Sequence, residues 1–385
     1  MYTIPAEFDA MRPFTPEELP TAIEQLIADE QFLQMVAGLI APLPIEAALT
    51  QLRQCRTGLE VQKALFYPLL KKLMAEKANG VTLSCEHLTN KQQGYTFVSN
   101  HRDIIIDPAF TSVLMLDNGF PTTVEIAIGD NLLVYPWIHT LVRVVKSFIV
   151  YRSAGLRETL ANSARMSRYI HFATSTKHEN VWIAQREGRA KDSDDRTDTA
   201  ILKMLAMGGS GSHTESLKAL RIVPMALSYE FDPCDYLKAK EFQQKRDNPA
   251  FKKSPADDLT NMQVGIFGYK GRIHFAMGAT LDADIDALAT LPKADFYEQL
   301  AARLDYYIHS MYRLYPINYV AADLLHNTNT LAAHYTPQEK AATEQYLAER
   351  IALIDLPQKD ETFLRHKLLE MYANPALNHL ATIGQ

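Results

Sequence analysis

Short runs of β-branched and aromatic residues recur along this chain from residue 80 onward, and segments with helical spacing separate most of them. This alternation is typical of an α/β sheet whose strands are connected by crossover helices. The pattern therefore predicts a mixed, mostly parallel sheet. The predicted strands are Val81–Cys85, Tyr95–Ser99, Thr123–Ile128, Phe148–Tyr151, Val181–Ala184, Ile222–Ser228 and Arg272–Met277.

Helical spacing of apolar residues dominates both ends of the chain. Residues 1–78 and 291–385 are predicted to form helical regions that flank an α/β domain at 79–290. Within that domain, the polar and proline-punctuated stretch 232–262 is predicted to be an insertion. The run from Thr336 to Glu339 predicts a helix start, because threonine caps, proline suits the first position and glutamate completes a capping box.

Composition narrows the class of protein. The formal net charge of the 385 residues is −6, which argues against a general nucleic-acid-binding protein. The three cysteines lie far apart and form no C-x-x-C pair, so neither a zinc site nor a disulfide framework is expected and a reducing compartment is favoured.

The most apolar stretch, residues 131–151, is interrupted by His139, Arg143 and Lys146. It is therefore predicted to be a buried helix followed by a strand and not a membrane-spanning helix. The first residues show no charged segment followed by an apolar one, so no signal peptide is expected. Together these features predict a cytoplasmic protein.

The segment from Ser99 to Ala109 carries the clearest chemical signal. A predicted strand delivers His101 to its carboxyl end, where open α/β sheets bind their ligands. Pro108 suits the first position of a helix, so Asp107 is predicted to cap that helix and to point back towards His101. A carboxylate that holds one ring nitrogen leaves the other as a base, and a base is what a weakly nucleophilic hydroxyl requires.

Other interpretations of this segment stay open on the residues alone. His101 can be an ordinary loop histidine and Asp107 only a helix cap. Asp103, two residues from the histidine, is a competing partner for its ring. A metal site at His101 and Asp103 ranks low, because no third ligand lies at a suitable spacing.

Three cations follow predicted strands. Arg152, Arg189 and Lys191 are therefore expected at the same edge of the sheet as His101. A dianionic phosphate needs clustered donors, and arginine offers a planar pair of them. Gly188 would let the backbone approach such a ligand closely. The pattern predicts a phosphate-binding group.

Two further charged segments stand out. The acidic run 192–198 is predicted to be a solvated loop. The segment 236–255 is basic and partly aromatic, and it can either dock an acidic carrier protein or an anionic bilayer, or serve only as a solubilising loop.

The segment S-N-H to D-P-A resembles the first motif of the glycerolipid acyltransferase superfamily, in which N-H-x4-D carries the catalytic dyad, and is most similar to that of the soluble plastid-type glycerol-3-phosphate acyltransferases. Here five residues, not four, separate His101 from Asp107, which indicates a one-residue insertion before the aspartate. Three more blocks resemble those of the family and follow in its order. They are Phe148 to Arg152, Val181 to Lys191 and Ile222 to Leu227.

The resemblance implies an acyltransferase that moves a fatty acyl group from acyl-coenzyme A or acyl carrier protein to a hydroxyl of glycerol 3-phosphate, in phospholipid biosynthesis and without a cofactor. Peripheral contact with the inner face of a membrane is a further expectation. The alternatives are a sister enzyme acting on lysophosphatidate or an amino-acid lipid, an acyl-thioester hydrolase, and a non-catalytic lipid-binding protein. The implied catalytic residues are His101 and Asp107, and the implied phosphate ligands are Arg152, Gly188, Arg189 and Lys191.

Overall fold

The computed structural model of the protein describes residues 3–40, 44–152 and 155–384. Across these residues, seven strands form one sheet in the order β1-β7-β6-β2-β5-β3-β4. The strands are β1 (Val81–Ser84), β2 (Thr96–Ser99), β3 (Val124–Gly129), β4 (Ser147–Val150), β5 (Asn180–Ala184), β6 (Ile222–Tyr229) and β7 (Ile273–Met277).

The direction of the strands decides where their ends meet. The neighbours from β6 through β2, β5 and β3 to β4 all run parallel, whereas β7 is antiparallel to β6 and parallel to β1. The predicted mixed, mostly parallel sheet is confirmed, and each predicted strand end lies within one residue of the observed one. The carboxyl ends of β6, β2, β5, β3 and β4 consequently share one edge of the sheet.

Helices cover both faces of the sheet and both ends of the chain. The first group is α1 (Leu19–Ile27), α2 (Glu30–Ile40), α3 (Ile45–Gln54), α4 (Gly58–Val61) and α5 (Tyr67–Lys77), with a π-helical turn Gln62–Phe66 joining α4 to α5. The central group is α6 (Ile106–Asp117), α7 (Pro136–Val144), α8 (Leu156–His171), α9 (Thr199–Leu205), α10 (His213–Ala219), α11 (Asp235–Asp247), α12 (Pro255–Phe267) and α13 (Asp282–Leu288). The last group is α14 (Lys293–Ser310), α15 (Pro316–His326), α16 (Pro337–Ala352) and α17 (Glu361–Ile383). The predicted helical flanks are thus present.

Side chains alternate between the two faces of the sheet along the buried strands, so each face has its own hydrophobic core. In β2, Phe97 belongs to the cluster that packs against α6, and Val98 belongs to the cluster that packs against α8 and α14. Successive residues of a strand point to opposite faces, so a strand that is apolar throughout must be covered on both sides. The sheet is therefore held as a rigid central layer, from whose edge the site residues project.

The segment 232–262 forms helix α11 and most of α12, and α11 packs against the C-terminal helices. Within the ranges given above, no single helix combines the length and the apolar content needed to cross a membrane, although α2 and α3 meet these criteria as a bent pair.

Candidate active site

The site begins where β2 ends beside β6. The buried side chain of Asn100 donates to the carbonyl of Leu227 at 2.9 Å and accepts from the amide of Leu227 at 2.8 Å. This two-pronged contact ties the loop after β2 to the neighbouring strand. The next residue in the loop, His101, is therefore presented from a fixed backbone.

His101 and Asp107 are in contact. The distance between Nδ1 of His101 and Oδ2 of Asp107 is 2.8 Å, and the carboxylate is 0% exposed. A carboxylate can only accept, so Nδ1 carries the proton and Nε2 is the unprotonated nitrogen of the neutral ring. The contact predicted from the sequence is present, whereas the catalytic role of the pair stays a prediction.

Asp107 is held by three further donors. The amides of Arg102 and Asp103 donate to its Oδ2 at 2.6 and 3.0 Å, and the hydroxyl of Tyr229 donates to its Oδ1 at 2.8 Å. Burial, followed by the nearby Asp107 carboxylate, raises the pKa of Tyr229 well above its usual value, so this phenol remains a donor. The orientation of the carboxylate is fixed on both oxygens.

The prediction that Asp107 caps the helix is wrong. Helix α6 begins at Ile106, and it is Asp103 that accepts from the amides of Ile105 and Ile106, at 2.9 and 2.8 Å. Asp107 lies inside the first turn, because the longer spacing lets Asp103 satisfy the free amides while Asp107 turns towards the ring. Burial and then the Asp107 charge raise the pKa of Asp103. The two aspartates thus divide the roles that the sequence left open between them.

A glycine in α12 allows that helix to close over the loop. A Cβ atom at Gly265 would lie 2.0 Å from Oδ2 of Asp103, a distance at which the helix would have to move away. Backbone is thus packed directly on the aspartate. The carboxylate of Asp103 is buried for this reason.

The ring of His101 is partly exposed. The side chain of His101 is 15% exposed, and its ring makes an edge contact with Trp182 at a centroid distance of 5.2 Å. Among the residues described by the structure, none forms a hydrogen bond with Nε2. The ring is therefore positioned to exchange a proton with a small polar group.

Two of the predicted phosphate ligands are already paired. Arg152 follows β4, and its Nη2 lies 3.2 Å from Oε1 of Glu187. Lys191 forms an ion pair with Glu241 of α11, and burial lowers the pKa of this lysine to about 8. Both residues lie at the predicted edge of the sheet. The partner of Arg152 lies on the β3–β4 side of His101, whereas the partner of Lys191 lies on α11, the helix that follows β6. Their contacts do not bring them together in one cluster.

Arg189 differs from both. Its Nη1 atom is buried and has no hydrogen-bond partner among the described residues. The preceding Gly188 has φ +69°, in the left-handed region that favours glycine, and a Cβ there would meet nothing within 4 Å. The charge of Arg189 acts on the buried carboxylates of Asp103 and Asp232, yet its Nη1 makes no hydrogen bond to them. A buried polar atom without a hydrogen bond is costly unless a ligand supplies one. Of the three predicted cations, Arg189 is the one whose geometry suits a ligand.

The prediction of a solvated acidic run is wrong for Asp195. This residue is 1% exposed, and its carboxylate accepts from Nη1 of Arg102 at 2.9 Å and from Nη2 at 2.5 Å, as well as from the hydroxyl of Tyr312. The sequence contains no local sign of this contact, because Arg102 lies 93 positions away. Only the fold brings the two segments together.

The basic segment 236–255 is largely neutralised inside the chain. The buried Lys238 forms an ion pair with Asp232. Nζ of Lys245 lies 2.8 Å from Oε1 of Glu241, and Nζ of Lys253 lies 2.7 Å from Oδ1 of Asp258. These ion pairs take up much of the positive charge of the segment. Docking of a carrier protein on it stays a prediction.

Sequence reasoning missed three residues that shape the site, namely Asn100, Tyr229 and Asp195. The position of Tyr229 at the carboxyl end of the strand beside β2 is a signal that could have pointed to it. No comparable local signal marks Asp195.

In the described ranges, no group of three or more histidine, cysteine, aspartate or glutamate side chains could hold a metal ion. In comparisons with known proteins, no family model and no curated protein matches this chain.

Proposed function

We propose that this protein is an acyltransferase that moves a fatty acyl group from an acyl thioester to a hydroxyl of glycerol 3-phosphate. The single observation that carries the proposal is the hydrogen bond of 2.8 Å between Nδ1 of His101 and a fully buried Asp107. A dyad of this kind supplies a base of fixed orientation, as acyl transfer to an alcohol requires.

The anchoring of Asp107 supports this role. Its two oxygens receive two backbone amides, the His101 ring and the Tyr229 hydroxyl. Such a carboxylate can hold the ring in one tautomer and stabilise the imidazolium that forms when Nε2 takes a proton. A histidine that merely filled a loop would need no carboxylate with this many donors.

Arg189 supports an anionic acceptor. Its side chain is half-buried, its Nη1 has no hydrogen-bond partner among the described residues, and the glycine before it leaves room for a ligand near the backbone. Arginine is well suited to bind phosphate oxygens. Arg152 would contribute by exchanging the exposed Glu187 for the phosphate, whereas Lys191 is paired with the buried Glu241 on the other side of His101. The acceptor phosphate would thus be held first by Arg189.

In the proposed reaction, Nε2 of His101 removes the proton from the acceptor hydroxyl while the hydroxyl oxygen attacks the thioester carbonyl. A carbon–oxygen bond forms, and the carbonyl electrons move onto oxygen. When they return, the carbon–sulfur bond breaks, and Nε2 gives its proton to the departing thiolate. The products are the ester and the free thiol, with His101 neutral again.

The test offers purified protein glycerol 3-phosphate, lysophosphatidate and an amino-acid lipid, each with acyl-coenzyme A and with acyl carrier protein as donor. We expect ester formation with glycerol 3-phosphate, and a fall of about 10²–10⁴-fold in kcat in the His101→Ala variant, since that is the usual contribution of a general base. His178→Ala is the matched control, because this histidine follows the turn before β5 at the opposite edge of the sheet.

The other outcomes each point elsewhere. Release of free fatty acid at one rate with and without acceptor would identify a thioester hydrolase instead. Full turnover in His101→Ala would remove the dyad from the mechanism. Binding of acyl lipid without any turnover would favour a lipid-binding protein.

A further inference from the structure

Asp195 lies at the centre of a buried polar network behind the candidate site. Its carboxylate binds the guanidinium of Arg102 through two hydrogen bonds and accepts a third from Tyr312 of the segment after α14. Its main-chain carbonyl accepts from Nε2 of His309 at 2.8 Å. Both carboxylate oxygens and the main-chain carbonyl of Asp195 thus accept hydrogen bonds.

Arg102 connects this network to the dyad. It stands between His101 and Asp103 in the chain, and its amide donates to Oδ2 of Asp107, the same oxygen that contacts the His101 ring. The carbonyl of Arg102 also accepts from the buried ammonium of Lys238 at 3.1 Å. Side chain, amide and carbonyl of Arg102 are therefore all fixed, and with them the loop that carries the dyad.

The other side of the network leads to the segment that carries Arg189. Beyond Asp192, the chain is tied to the C-terminal helices at several points. The carbonyl of Asp192 accepts from Asn374 at 2.8 Å, the carboxylate of Asp194 accepts from Asn378 at 3.1 Å, and Thr197 donates its amide to Asp305 at 2.8 Å. The Arg189 segment and the dyad loop therefore meet at one carboxylate.

The geometry points to Asp195 as a positioning residue that sets the His101–Asp107 pair relative to the anion-binding Arg189 by holding Arg102 and Tyr312. This role rests on the proposed function and extends it to the C-terminal helices, which become part of the active site through Tyr312 and His309. A purely structural ion pair would stabilise the fold without affecting the orientation of the ring.

The decisive variants separate stability from orientation. Asp195→Asn removes the carboxylate charge that pairs directly with the buried Arg102. A triple variant, Asp195→Leu with Arg102→Met and Tyr312→Phe, removes all three polar groups together, and replacing a buried ion network with apolar side chains of similar size often leaves stability unchanged. Asp198→Asn is the matched control, because Asp198 lies three residues further on, is exposed and only caps α9. Asparagine caps a helix as well as aspartate does.

We expect kcat to fall by at least tenfold in Asp195→Asn and to remain low in the triple variant even though its melting temperature recovers. Asp198→Asn should match the wild type. Recovery of wild-type kcat in the triple variant, or an unchanged kcat in Asp195→Asn, would overturn the positioning role.

A second measurement does not depend on turnover. Nitrogen-15 NMR of the histidine rings, with the His101 signals assigned by their loss in His101→Asn, reports which ring nitrogen carries the proton. We expect Nδ1–H in the wild type and a mixture of tautomers in Asp195→Asn, and an unchanged spectrum would refute the role. If the wild type transfers no acyl group, the proposed function fails, while the NMR comparison still decides the part played by Asp195.

Discussion

The carboxyl ends of β2 and β4 lie on the same edge of one sheet, yet they hold their polar side chains in opposite ways. After β2, in the middle of the sheet, Asp107 is fully buried and receives hydrogen bonds from both backbone and side chains. After β4, at the margin of the sheet, the side chain of Arg152 is 50% exposed and pairs with Glu187, which is more exposed still.

The difference shows what each position can do. An exposed ion pair contributes about 0–1 kcal/mol and can be exchanged for a ligand at little cost. A buried carboxylate with several donors holds one geometry, because any rearrangement would leave polar groups unpaired in the interior. The centre of the edge is suited to chemistry, and its margin is suited to reversible binding.

The strongest test of this contrast is Asp107→Asn. The amide cannot accept on both atoms from the donors around it, so the His101 ring should lose its fixed tautomer and kcat should fall by about 10²–10⁴-fold. Steady-state transfer assays at saturating donor and acceptor measure this. Asp117→Asn, at the other end of the same helix and partly exposed, should keep wild-type kcat. Retention of more than a tenth of the activity in Asp107→Asn would contradict the assignment.

A smaller effect is expected from Arg189→Ala. Loss of a charged hydrogen-bonding partner costs about 1.5–3 kcal/mol, which corresponds to a rise of roughly 10–100-fold in KM for glycerol 3-phosphate. The melting temperature should not fall, because the substitution removes a buried donor that has no partner among the described residues. Arg186→Ala, on the same segment and exposed, serves as the control. An equal change in KM in both variants would indicate a general effect of charge.

The smallest effect belongs to Arg152→Ala. Loss of the exposed pair should change the free energy of unfolding by less than about 1 kcal/mol, as measured by urea denaturation. KM for glycerol 3-phosphate should rise less than in Arg189→Ala, and the rise should shrink as salt is added, since exposed charges are screened. A rise as large as that of Arg189→Ala would mean that the margin of the sheet binds the phosphate as firmly as the centre.

Local patterns predicted much of this molecule correctly. The helix start at Thr336 is confirmed by a capping box, in which the amide of Glu339 donates to the threonine hydroxyl at 3.2 Å and the amide of Thr336 donates to the glutamate at 2.7 Å. The contact between His101 and Asp107 is also present. In both cases the partners lie within one turn or loop, so short-range geometry is sufficient to place them.

Predictions failed where the partner comes from a distant part of the chain or where two neighbours compete for one role. Asp195 was expected in solvent and lies buried between Arg102 and Tyr312. Asp107 was expected to cap α6, but it lies in the first turn of the helix, and Asp103 accepts from the amides of Ile105 and Ile106 at its start. Composition and spacing do not specify which of several carboxylates a buried cation will meet.

By itself, the sequence determined where the strands lie along the chain, the helical flanks and the loop that presents His101, because periodicity and turn chemistry act over a few residues. The tertiary structure alone decided which groups surround Asp107, which arginine nitrogen is buried without a hydrogen bond among the described residues, and which C-terminal residues contact Asp195. Those outcomes depend on burial, since in the interior each polar group must find a partner from whichever element the packing brings close.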